Sequence, residues 1–156
     1  MNVTVNTDAS FNAKYKRGTY AFWITCDAGR HRQSDQLRGK VESPQEAEFK
    51  AIINALDALS RYKFGFMHLI IVNTDCLHVI EYIAKCERKG QTAHLHELFD
   101  LYKFYKTMIA KLPASKIEFR HVKAHTNAED KRSFVNDWCD KAAKRAMGEL
   151  LKSLKS

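Results

Sequence analysis

Polar and apolar residues alternate through the amino end of the chain, with Val3, Val5 and Thr7 on one side of "NVTVNTDA". An aromatic and β-branched run, "GTYAFWITCDA", follows, and then "HRQSDQLRGKV" beyond a turn at Ala28-Gly29. These short spacings predict three strands in an antiparallel meander. The period then changes. Ile52, Ala55, Leu56 and Leu59 recur at helical spacing behind "SPQE", where Ser43 can cap, Pro44 suits the first helical position and Glu46 is placed to complete a capping box. "HLIIVNT" lacks polar alternation and reads as a strand buried on both faces. A helix over about 76–87 comes next, Gly90 interrupts, and a longer helix runs from Thr92 to Leu112, stopped by Pro113. "KIEFRHV" predicts a further strand and "SFVNDWCDKAAKRAMGELLKSLKS" a closing amphipathic helix. The order βββ-α-β-α-α-β-α predicts an α/β fold, a mixed sheet flanked by helices.

The chain has 156 residues, two prolines, six glycines and no internal repeat or low-complexity run, which predicts a single domain over 1–156. Its apolar stretches, such as Leu69 to Val72, are far too short to span a membrane. The amino end shows neither a basic region nor an apolar core of the secretory kind. The four cysteines, at 26, 76, 86 and 139, form no C-x-x-C pair; they read as reduced, buried thiols in a cytoplasmic protein. Charge sharpens the picture. Twenty-six Lys and Arg against 18 Asp and Glu leave a net +8, yet segments 41–75 and 124–140 are each net negative while the other three are net positive. A basic protein that concentrates its acids suits a polyanion partner.

Several acids stand where stability alone does not put them. Glu48 lies four residues before Ile52 and shares its apolar face, a costly place for a carboxylate that is neither paired nor metal-bound. On the closing helix, Asn136, Asp140, Ala143, Met147 and Leu150/Leu151 share one face, so Asp140 opens an apolar stripe, whereas Asp137 falls among Lys141, Lys144 and Arg145. Asp75 follows the strand "LIIVNT", either as a helix cap or as a site residue at a strand end. Asp8 lies on the first strand or opens a turn. Clustered, these four carboxylates repel one another, which hard divalent cations such as Mg²⁺ resolve. Two such ions about 3.5–4 Å apart are a known device for phosphodiester displacement.

In this order the motifs resemble the ribonuclease HI (type 1 ribonuclease H) family. "VNTDASF" carries Asp8, "SPQEAEFKAIINAL" carries Glu48, "IIVNTDCLHVI" carries Asp75, "EFRHVKAHT" carries His125, and "VNDWCDKAAKRA" carries Asn136 and Asp140. The resemblance covers nearly the whole chain. It implies a ribonuclease H-like fold with a five-stranded mixed sheet, and hydrolysis of the RNA strand of RNA/DNA hybrids to 5′-phosphate and 3′-hydroxyl ends. It implies two Mg²⁺ ions, with Mn²⁺ as a substitute, held by Asp8, Glu48, Asp75 and Asp140, and His125 on a polar loop handling protons or product release. Ser10, Ser43, Gln45 and Asn136 become substrate-contact candidates, Gln45 for the 2′-hydroxyl that distinguishes RNA from DNA.

Where relatives hold a DNA phosphate with a Thr-Asn pair, this chain has Ser43 and Pro44. In place of a tryptophan-bearing basic protrusion it has Lys85, Arg88, Lys89, Lys103 and Lys106, which implies an electrostatic, salt-sensitive grip. The expected protein is a monomer. Two other readings share the fold: a non-catalytic nucleic-acid-binding module, and a nuclease of another substrate.

Overall fold

The structure is a computed structural model describing residues 1–89, 96–122 and 131–155, without the side chains of 131–133. Its elements follow the predicted order: β1 (Asn2–Asn12), β2 (Arg17–Cys26), β3 (Gly29–Gln36), α1 (Pro44–Tyr62), β4 (Leu69–Thr74), α2 (Leu77–Lys89), α3 (Phe99–Ala110), β5 (Ile117–His121) and α4 (Lys131–Lys155). The strands form one sheet in the order β3-β2-β1-β4-β5. β1, β2 and β3 pair antiparallel, as the short connections require, while β4 joins β1 and β5 in parallel through helical crossovers.

The sheet separates two apolar layers. Val3, Val5, Phe22, Ile24, Ile70 and Val72 pack with Phe49, Ile52, Leu56 and Leu59 of α1 in the larger one. On the other face Ala21 and Trp23 meet Cys139, Ala142 and Ala143 of α4. Alternation along β1 therefore sends Val3 and Val5 to one layer, and Asn6 and Asp8 to the other. Thr19 Oγ1 donates to the Ala143 carbonyl at 2.7 Å and ties α4 to β2.

Ser43 caps α1 as expected, its Oγ accepting from the Glu46 amide at 3.1 Å. The reciprocal half of the box reaches one residue further than expected: Glu46 Oε2 accepts from the Glu42 amide. The third helix begins at Phe99, with 96–98 in a turn where His96 Nδ1 accepts from the Leu98 amide at 3.1 Å. That local bond closes the turn ahead of α3, which runs from Phe99 where one helix from Thr92 is expected; Thr92 and Gly90 lie outside the described residues. The buried stripe of α4 is Cys139, Ala142, Ala143, Met147 and Leu150, with Leu151 half-buried and Leu154 37% exposed. It turns away from the Asn136–Asp140 line, because 3.6 residues per turn carry the core-facing side through 139 and 142–143. No helix among the described residues is long and apolar enough to cross a membrane.

Candidate active site

β1 and β4 are parallel neighbours with Asn6 opposite Asn73. Asp8 and Asp75 each follow two residues later, so the shared register delivers both carboxylates to the same end of the sheet. Glu48 arrives from the first turns of α1, which packs on β1 and β2. One carboxylate oxygen from each of Asp8, Glu48 and Asp75 lies within 4.8 Å of the others. This is the carboxyl end of the parallel strands, where α/β sheets collect their sites.

The cluster is electrostatically unfavourable in the absence of cations. Asp8 is buried, and its pKa rises from the ordinary carboxylate value to about 7, first through burial and then through the charge of Asp75, with Asp140 adding a smaller push. The Ala9 amide, donating to Asp8 Oδ1 at 2.9 Å, opposes the rise. Burial, then Asp8 and Asp75, hold Glu48 well above the carboxylate range. Glu48 Oε2 is a buried oxygen with no hydrogen-bond partner among the described residues. An orphaned carboxylate oxygen beside two acids fits a divalent cation, which would supply the missing positive charge and take hard oxygen ligands.

Asp140 stands beside this group rather than in it. It is half-buried and its Oδ2 pairs with Lys144 at 3.1 Å, one turn along α4. Sequence spacing assigns Lys144 to the solvated side with Asp137; among the described residues Asp137 pairs instead with Lys141, at 2.8 Å. Asn136 accepts a hydrogen bond from Asn6 Nδ2, and Asn6 Oδ1 in turn accepts from Asn73 Nδ2 at 3.3 Å. The amide of Asn136 is thus engaged with the sheet. Cys139 Sγ, 3.6 Å from the Asn6 carbonyl, completes the seam.

Asn6 and Asn73 went unnoticed in the sequence, although both interrupt apolar strands at the same offset, two residues before an aspartate. His121 Nε2–H donates to the Asp75 carbonyl at 3.1 Å and so braces the loop that carries Asp75. Burial raises the thiols of Cys76, to about 11, and Cys139, so neither is a thiolate nucleophile.

The remaining candidates are spread around the cluster. Ser10 lies two residues beyond Asp8 on β1. Ser43 Oγ is committed to capping α1, and Gln45, half-buried, sits in that helix's first turn. Lys85, Arg88 and Lys89 are exposed on α2. Lys103 and Lys106 pair with Asp100 and Glu87, at 3.3 and 3.2 Å. His125 and its loop lie outside the described residues.

Solved structures share this architecture. RNase H1 from the halophilic archaeon Halobacterium salinarum superposes with a TM-score of 0.69 at 16% identity, over 96% of this chain and 99% of that one. The N-terminal RNase H domain of a Mycobacterium tuberculosis protein gives 0.69 at 17%, over 98% of each chain. LC11-RNase H1, solved in complex with an RNA/DNA hybrid, gives 0.65 at 15%, over 93% and 99%. Together they define a ribonuclease H-like α/β fold. No curated protein sequence matches the chain. The RNase H family model matches residues 1–148, and the chain belongs to the ribonuclease H family.

Proposed function

We propose that this protein is an endoribonuclease that hydrolyses the RNA strand of RNA/DNA hybrids, acting as a single domain over 1–156 and as a monomer. The observation that carries the reading is the convergence of Asp8, Glu48 and Asp75 within 4.8 Å, with a buried Glu48 oxygen left unpartnered. Membership of the ribonuclease H family supports the nuclease activity, and the hybrid-bound state of LC11-RNase H1 supports the substrate.

In this reading Asp8, Glu48, Asp75 and, once released from Lys144, Asp140 hold two divalent cations, Mg²⁺ or in its place Mn²⁺. When bound, such ions activate the attacking water and stabilise the leaving 3′ oxygen, which gives 5′-phosphate and 3′-hydroxyl ends. The chain's own groups do the rest. The rigid β1–β4 register fixes two carboxylates, and the Ala9 amide orients Asp8. His125 carries a proton to or from the reacting phosphate. Gln45 and Ser10 face the RNA strand. Lys85, Arg88 and Lys89 attract phosphates, a grip that weakens with salt. Asn136 acts through its bond to Asn6 and places α4.

A 5′-labelled hybrid incubated at low salt with Mg²⁺, with Mn²⁺ and with EDTA tests the proposal. Cleavage of the RNA strand alone is expected, abolished by EDTA and by Asp75→Asn. An intact RNA strand, or equal behaviour of wild type and Asp75→Asn, overturns it. Duplex RNA and duplex DNA, run alongside, are expected to remain intact.

A further inference from the structure

Both tryptophans of the chain lie together, on the face of the sheet that α4 covers. Trp23 of β2 and Trp138 of α4 meet edge to face, with ring centroids 5.4 Å apart. The guanidinium of Arg32 lies 5.1 Å from the Trp23 ring and 5.2 Å from the Trp138 ring, and that of Arg30 lies 5.8 Å from Trp23. Phe134, 63% exposed, meets Trp23 in a T-shaped contact with ring centroids 6.1 Å apart. Arg30 and Arg32 are exposed on β3, the strand at the sheet's edge, and neither has a carboxylate partner among the described residues.

We propose that this surface, formed by Arg30, Arg32, Phe134 and Trp138, binds single-stranded nucleic acid. An arginine held over an indole has its planar fork of donors pre-organised, and a phosphate accepts from such a fork in bidentate fashion. Two guanidinium groups over indole rings, with no acid paired to them among the described residues, present charge to a partner rather than to the fold. The exposed Phe134 ring adds a face on which a base can stack, and stacking is tolerant of sequence. Bases offer free faces only when unpaired, which selects a single strand over a duplex or hybrid. A protein partner fits less well, because one exposed apolar ring among cations is a small nucleus for an interface of about 1,000 Å² or more.

Position adds to the case. Trp23 is opposite Asn6, and Ala21 is opposite Asp8, in the β1–β2 register. The surface therefore begins one strand over and two residues back from a site carboxylate. The inference concerns a surface separate from the four carboxylates and stands whether or not the chain cleaves hybrids.

Because Trp23 and Trp138 are the only tryptophans, their fluorescence reports on this surface directly. Titration of the full chain in EDTA with oligothymidylate of about a dozen nucleotides is expected to quench that emission at low salt. Phe134→Ala is expected to weaken binding about tenfold. The double variant Arg30→Glu with Arg32→Glu is expected to abolish it, with far-UV circular dichroism and cleavage of a blunt, short hybrid unchanged. Arg30→Ala with Arg32→Ala is expected to lower the salt dependence by about 1.4 in log–log slope. Absent quenching overturns the inference. So does quenching that survives the charge reversal, or equal quenching by poly-glutamate, which shares the charge without the bases.

Discussion

Asn6 donates to Asn136 and accepts from Asn73, so one buried side chain joins β4, β1 and the start of α4. Both sheet asparagines are nearly inaccessible, at 4% and 2% exposure. Asn73 Oδ1 already lacks a hydrogen-bond partner among the described residues, and losing Asn6 leaves its partners further unsatisfied. The arrangement fixes how α4, and with it Asp140, approaches the two strand-end aspartates.

Asn6→Ala is expected to destabilise the protein by about 2–3 kcal/mol, the cost of stranding the amides of Asn73 and Asn136. Urea unfolding measures it. A loss below about 0.5 kcal/mol, the scatter of ordinary surface substitutions, means that water replaces Asn6 and that the relay does not hold α4.

The stability of the metal-free protein depends on pH with a definite sign. A carboxyl whose folded pKa is raised stabilises the fold fully below its unfolded value and ceases to do so as pH rises through its folded value. For Asp8 that window runs from the ordinary carboxylate value, 3.8, to about 7, and Glu48 shifts the same way. Asp8→Asn keeps the shape and removes a charge from the cluster. In EDTA, therefore, the variant is expected to melt higher than wild type at about pH 8, the gap shrinking towards pH 5. Mg²⁺ is expected to raise the wild-type Tm more at the higher pH and to do little for the variant. A pH-independent gap in thermal melts excludes repulsion as its cause.

Lys144 competes with any cation for Asp140. An i,i+4 pair of this exposure contributes about 0.3–0.5 kcal/mol, so Lys144→Ala is expected to leave stability almost unchanged. The freed Asp140 faces Asp8 without a counter-charge, and the Mg²⁺ concentration giving half-maximal cleavage is expected to fall. If it rises or stays fixed, Asp140 takes no part in holding the ion.

Ser43→Ala removes the α1 cap and is expected to cost about 1 kcal/mol. Since Ser43 Oγ is already engaged with the Glu46 amide, KM for a hybrid is expected to stay near wild type. A large rise in KM with little loss of stability assigns the hydroxyl to the substrate instead.

Local pattern was enough to place most elements. Alternation at Val3 and Val5, the "SPQE" start, the unbroken "LIIV" and Pro113 each report a constraint acting within a few residues, and the four carboxylates stood out because they broke those patterns. What such patterns miss is any bond formed across the chain. His96 closes the turn ahead of α3 through one side chain, and Cys139, not the line through Asp140, faces the sheet. Lys144 meets Asp140, and Arg32 settles between two tryptophans more than 100 positions apart in sequence.

The sequence by itself determined the order of elements, the family and which acids to suspect. Only the tertiary structure decided how they meet. The parallel register of β1 on β4 brings Asp8 beside Asp75, α1 brings Glu48 against them, and the asparagine seam sets Asp140 at the margin. The physical reason is range. Helical and strand periods are written in neighbouring residues, whereas the repulsion that raises Asp8, and the hydrogen bonds that hold α4, arise between residues brought together only when the sheet closes under its helices.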